Sequence, residues 1–166
     1  MSPQAARKPS LYEQLMALPE ALTGEIMNGQ LRTQPRPGWP HILAGARLGA
    51  DIEGPYGRGR GGPGGWWVVS RPEVHFILDT EVTVPDLAGW RKQRMPSPPE
   101  GHQIQVVPDW VCEIISPSTK STDREEKMPL YALWRPIRLA GRPEGPNARG
   151  LRVRGCQVEA AGLLPR

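Results

Sequence analysis

Apolar and polar positions change period several times along the chain, and each change marks a predicted element. Leu11, Leu15 and Leu18 recur at helical spacing behind Ser10, an N-cap type with Glu13 as its box partner, and Pro19 ends the helix. Glu25-Ile26-Met27-Asn28-Gly29-Gln30-Leu31 reads as strand, Asn-Gly turn and strand. Pro35 to Pro40 reads as a loop, and Ile42, Leu43, Ala46 and Leu48 predict a helix over 41–52. Trp66 to Val69, Glu73 to Ile77 and Val82 to Asp86 predict short strands joined by tight turns. Val106 to Ile115 is a β-branched run suited to a fully buried strand. Ser121 or Thr122 can cap a helix from Asp123 through Leu133, with Met128, Tyr131 and Ala132 on its inner face. Strands that lead into a helix at the end of a buried strand point to an α/β or α+β domain.

Composition narrows this picture. At 166 residues the chain is long enough for one domain with a real core. Its 20 prolines and 19 glycines, against one phenylalanine, imply long irregular stretches or a segment never selected to fold. Seven glycines between positions 54 and 65 predict an irregular loop, in which Arg58 and Arg60 could touch phosphate but a plain surface role is commoner. The net charge of +4 permits a polyanionic partner without requiring one. Cys112 and Cys156 form neither a CxxC pair nor a zinc spacing. Cys112 lies in an apolar run, so a buried free thiol and a reducing cytoplasm are expected. No apolar stretch has the length of a membrane span and the N-terminus lacks a signal-peptide core, so no membrane partner is expected.

The charged residues that carry chemistry come in a fixed order. Asp86 follows a predicted strand in Val84-Pro85-Asp86-Leu87-Ala88-Gly89-Trp90, and Glu113 lies within one in Pro108-Asp109-Trp110-Val111-Cys112-Glu113-Ile114-Ile115. Lys127 follows on a helix in Asp123-Arg124-Glu125-Glu126-Lys127. If the two strands pair, the carboxylates can converge on one Mg²⁺, which takes hard oxygen ligands and keeps several waters. Lys127 could then orient the nucleophile or offset developing negative charge, and Glu25 could add a ligand or base from the first helix-to-strand junction. Plainer roles compete. Asp86 after Pro85 suits a turn, and Asp123 suits a first helical turn with Lys127 as its i+4 partner. Glu73 and His75 alternate with Val74 and Phe76 as a solvent face would, and His41 at a helix start suggests a structural role. The tryptophans suit the core or its rim, although Trp66, Trp67 and Trp90 could stack on bases. Glu113 resists such readings, because a carboxylate inside Trp-Val-Cys-Glu-Ile-Ile is costly to bury without a partner or metal.

Three motifs together resemble the Uma-type restriction endonucleases of the PD-(D/E)XK nuclease superfamily. They are Pro-Asp-Leu-Ala-Gly-Trp-Arg from Pro85, Glu-Ile-Ile-Ser-Pro-Ser-Thr from Glu113, and Asp-xxx-Lys-Met-Pro-Leu-Tyr-Ala from Asp123. The resemblance covers Leu11 to about Leu133. It implies a restriction-endonuclease-like α/β core, with a mixed central sheet flanked by helices, and DNA cleavage dependent on Mg²⁺ or Mn²⁺. By the same resemblance Asp86 and Glu113 hold metal, while Glu25 and Lys127 complete the catalytic set. The superfamily's usual lysine would stand two residues after Glu113, where this chain has Ile115, and Lys127 is read as its migrated replacement. Superfamily nucleases are often dimers, which admits a homodimer here, though no segment shows a dimer interface.

After Trp134 the chain changes character. Residues 135–166 are rich in Arg, Gly and Pro and contain no lysine and no aromatic residue. The neighbouring reading frame, with only wobble bases free, can decode Arg135 to Val153 as G-V-P-Y-A-W-L-V-D-P-K-A-R-T-L-E-V-Y, which is similar to the family's next turn and strand. A single-base loss near the Trp134 and Arg135 codons is therefore expected. The division that follows is a disordered N-terminus over 1–9, a truncated nuclease-like domain over 10–134 and an out-of-frame disordered tail over 135–166. The expected consequence is a missing strand and an unpaired sheet edge. The rival for the tail is a natural basic segment that binds nucleic acid. The rival for the whole is a non-catalytic DNA-binding or assembly module of the same fold.

Overall fold

The computed structural model describes residues 7–115, 122–134 and 157–162. Local signals set the first elements. Helix α1 (Leu11–Met16) starts at a capping box in which Ser10 Oγ accepts from the Glu13 N–H and Glu13 accepts from the Ser10 N–H. Asn28 and Gly29, both at positive φ (51° and 70°), turn β1 (Leu22–Met27) into β2 (Gln30–Pro35) as the Asn-Gly pair predicts. Helix α2 (Trp39–Ile52) begins two residues earlier than the sequence pattern suggested, with Pro40 in its first turn. It runs into a π-helical turn over Glu53–Gly57, so the glycine-rich segment is not wholly irregular.

Six more strands follow before the last helix. They are β3 (Trp66–Ser70), β4 (Glu73–Ile77), β5 (Glu81–Thr83), β6 (Leu87–Arg91), β7 (Gln103–Ile104) and β8 (Trp110–Ile115). A π-helical turn over Thr122–Lys127 leads into α3 (Met128–Leu133), and β9 (Gln157–Gly162) ends the described chain. The expected α/β class holds. The strands form two sheets, one in the order β2-β1-β5-β4-β7 and one in the order β3-β6-β8-β9. The first is mixed, because β7 joins β4 in parallel while its other pairs are antiparallel.

Period-two alternation then decides what each strand buries. From β6 and β8, Leu87, Trp110, Cys112 and Ile114 pack with Trp66 against Ala44, Leu48 and Ile52 of α2. The alternate residues Ala88, Trp90 and Val111 face the other way, onto Val74 and Phe76 of the first sheet and Tyr131 of α3. Glu113 belongs to this second set by parity, which is why a strand buried at all six positions carries its carboxylate into the space between the sheets. On the outer face of the first sheet, Ile26 and Val82 pack under Leu15 of α1.

Several expectations need correction. Strand β9 pairs antiparallel with β8 over six residues, from Trp110↔Gly162 to Ile115↔Gln157, so this edge of β8 is not open. A ladder is built from backbone groups, and residues 157–162 contain no proline, so every N–H can donate. The remainder of the segment expected to be out of frame and disordered lies outside the described residues, as does most of the expected disordered N-terminus. His75 and Glu73 do not line a solvent face. His75 is buried, because Tyr12 of α1 closes over its ring at a centroid distance of 5.2 Å. In α3 it is Leu130 and Tyr131 that are buried, while Ala132 is exposed, since the π-helical turn alters the phase of the following α-helix. Trp66 and Trp90 are buried in the core and cannot stack on bases.

Candidate active site

Strand register brings the first carboxylate pair together. The last paired residues of β6 and β8 are Leu87 and Cys112, so Asp86 stands one step further along, opposite Glu113. Two contacts fix this relation: Asp86 Oδ2 accepts from the Ile114 N–H at 2.8 Å, and the Asp86 N–H points to Glu113 Oε2 at 3.4 Å. Glu25 arrives from β1, inside the strand and not at the helix-to-strand junction that the sequence suggested. Its Oε1 accepts from the Val84 N–H at 2.8 Å, just before Asp86 in the chain. Lys127, the last residue of the π-helical turn, reaches in from just before α3. Its Nζ lies 2.9 Å from Glu25 Oε2 and 3.4 Å from Glu113 Oε1. All four residues proposed from the sequence, Glu25, Asp86, Glu113 and Lys127, are buried and lie in one connected cluster.

Sequence reasoning missed three neighbours. His41, read as structural, faces the site from the first turn of α2, with Nε2 2.8 Å from Asp86 Oδ1. Tyr131 donates its hydroxyl hydrogen bond to Glu113 Oε1 at 2.7 Å and lies 3.4 Å from Thr83 Oγ1. Arg71, in the turn between β3 and β4, places Nη1 3.9 Å from Asp86 Oδ1. His41 lies three residues before the buried Ala44, on the face that meets the sheet, and that spacing is a signal the sequence did contain.

The electrostatics separate the two carboxyl groups. Burial pushes the Glu113 pKa up to about 8, and the nearby charges of Asp86 and Glu25 add to the rise, while Lys127 and the Tyr131 hydroxyl oppose it. Burial acts on Asp86 in the same direction, but the His41 hydrogen bond and charge and the Ile114 N–H outweigh it, and its pKa falls below the ordinary value. Burial raises the Tyr131 hydroxyl well above its usual range, which keeps it a hydrogen-bond donor. The Cys112 thiol is free, buried and pushed upward, first by burial and then by its carboxylate neighbours, so it serves as packing and not as a nucleophile.

The donor set suits a hard cation. Among the described residues no group of three His, Cys, Asp or Glu side chains is gathered as a metal cluster. The available ligands are the oxygens of Asp86 and Glu113, and Glu113 Oε2 faces the Asp86 N–H at the long distance of 3.4 Å. Two carboxylates suffice for Mg²⁺, which completes its shell with water. Cys112 points to the opposite face of β8, so it offers no thiolate to this pair.

The Uma2 family model, described as "Putative restriction endonuclease", matches residues 10–139. A crystal structure from Anabaena variabilis ATCC 29413, described as a "putative nuclease belonging to DUF820", aligns with a TM-score of 0.59 at 22% identity. The alignment covers 76% of this chain and 68% of that one, and it shows the same fold. No curated protein matches the chain.

Proposed function

The chain belongs to the Uma2 restriction endonuclease family, and from that membership we propose that its buried cluster hydrolyses DNA phosphodiester bonds with Mg²⁺ or Mn²⁺. The single observation that carries the proposal is Glu113. A fully buried carboxylate on a central strand, set opposite Asp86 and within reach of Lys127, is costly unless a cation or a reaction uses it. Asp86 and Glu113 would hold the metal, whose chemistry is to polarise the phosphate and lower the pKa of a bound water.

The chain's own groups do the rest. The Ile114 N–H and His41 fix both oxygens of Asp86, so its carboxylate is oriented before any ligand arrives. Tyr131 fixes Oε1 of Glu113 and leaves Oε2 to face Asp86. Glu25, held by the Val84 N–H, positions the ammonium of Lys127 between two carboxylates. From there Lys127 can orient the attacking water and offset charge as the new P–O bond forms and the bond to the leaving sugar oxygen breaks. Glu25 is a positioning residue in this arrangement.

A plasmid-nicking assay tests the reading. Cleavage with Mg²⁺ or Mn²⁺, absent with chelator and lost in Glu113→Ala, supports the nuclease. Binding that survives chelator and weakens with salt, without cutting, would support the non-catalytic module instead.

DNA is the partner, met singly or as a homodimer. The free buried thiol of Cys112 supports a cytoplasmic protein. The change of composition after Trp134, and a family match that ends at residue 139, support a single-base loss near codons 134 and 135. Resequencing that stretch and finding the frame intact would sink the last reading.

A further inference from the structure

Arg71 has a backbone that its side chain does not favour. Three described residues other than glycine have positive φ: Asn28, Asp79 and Arg71, the last at 51°. Asn and Asp tolerate the left-handed region because their short polar side chains bond locally, whereas arginine has no such compensation. The turn is fastened to the site itself, since the Arg71 N–H donates to the Asp86 carbonyl at 3.1 Å. Backbone strain of this kind persists only where surrounding structure enforces it, and it gathers at functional positions.

The side chain is equally unspent. Its Nη1 lies 3.9 Å from Asp86 Oδ1, beyond hydrogen-bond range, and that oxygen already meets His41 at 2.8 Å. Among the described residues the guanidinium makes no hydrogen bond, and 37% of the side chain is exposed. The result is a planar cation at the solvent edge of a buried carboxylate pair, with its donors open. Guanidinium donors match the spacing of phosphate oxygens, and a fixed position lets them act without rearrangement.

We propose that Arg71 is a catalytic residue that contacts the phosphate being cleaved, binding its non-bridging oxygens beside Asp86. The assignment rests on the nuclease reading above and adds a substrate-binding cation to it. The turn strain at Arg71 is then the means of holding the guanidinium over the site.

The test uses the full chain and three variants, Arg71→Gly, Arg71→Lys and Arg71→Gln. Glycine fits the left-handed backbone, so Arg71→Gly should fold and melt at or above the wild-type temperature. Binding of a fluorescent duplex is measured in chelator across a salt series, and plasmid cleavage is measured in Mg²⁺. Loss of one phosphate contact should make the slope of log K against log salt shallower by about 0.9 and weaken binding roughly tenfold. Cleavage in Arg71→Gly and Arg71→Gln should fall by about 10²-fold in kcat, as for removal of one transition-state donor. Arg71→Lys should recover the slope but not the rate, since an ammonium keeps the charge and loses the fork. A glycine variant with unchanged slope and unchanged cleavage overturns this assignment while leaving the nuclease reading intact. A wild-type chain that neither binds nor cuts overturns both.

Discussion

Lys127 Nζ sits 2.9 Å from Glu25 Oε2, and both side chains are buried. This contact ties the first strand of one sheet to the helix that follows the last strand of the other sheet before the tail. It also sets how the site responds to change, because a buried ion pair is far costlier to break than to replace.

Lys127→Ala should leave Glu25 and Glu113 facing each other without their cation and destabilise the fold by about 3–5 kcal/mol. The double variant Lys127→Met with Glu25→Gln should recover part of that loss at neutral pH, since Glu25 is neutralised and Glu113, whose pKa is raised to about 8, can keep its proton. Neither should cleave DNA. Urea unfolding beside a nicking assay separates the two effects, and full cleavage by the double variant would remove Lys127 from the mechanism.

Stability without metal should fall as pH rises. The folded pKa of Glu113 is raised from 4.5 to about 8, so the folded state holds this proton more tightly than the unfolded chain does. Its contribution is fully present below about pH 4.5 and is lost as pH climbs through about 8. Melting curves in chelator from pH 5 to 9, a range chosen to bracket roughly that loss, should slope downward for the wild type. Glu113→Gln should flatten this component, and Mg²⁺ should stabilise the wild type most at the alkaline end, where the carboxylate is ionised. A Glu113→Gln profile parallel to the wild type would refute the assignment of the slope.

His41→Ala should weaken the proposed metal site and also cost the fold about 1–3 kcal/mol, because it leaves a buried carboxylate oxygen without its partner. His41 holds Asp86 Oδ1 at 2.8 Å and helps keep that carboxyl below its usual pKa range. Orienting partners of this kind are typically worth about 10–100-fold in metal affinity. The Mg²⁺ concentration for half-maximal cleavage should therefore rise by that factor, with a modest fall in the melting temperature. An unchanged Mg²⁺ titration would return His41 to a purely structural role.

Gly89→Ala should destabilise the second sheet by about 1–3 kcal/mol. A Cβ there would stand 3.3 Å from the Trp66 ring and 3.4 Å from the Trp110 ring, and both indoles are buried against α2. Thermal melting checks this, and the variant also tests whether Leu-Ala-Gly-Trp is a packing motif and not a substrate contact. Its cleavage per folded molecule should equal the wild type.

The sequence determined what depends on short-range rules. Ser10 and Glu13 cap a helix, Asn28 and Gly29 turn a hairpin, and the run ending at Ile115 makes a buried strand, because each needs only neighbours in the chain. The cost of burying Glu113 was legible for the same reason, since it follows from the apolar residues on either side. The tertiary structure decided what depends on partners far away. Strand register set Asp86 opposite Glu113, helix placement turned His41 toward Asp86, and Tyr12 closed over His75, which alternation alone had assigned to solvent. The pairing of residues 157–162 with β8 was equally beyond composition, because a sheet edge recruits backbone groups and asks little of side chains. Period and propensity fix which residues share a face, and only the packing of one element on another fixes what that face meets.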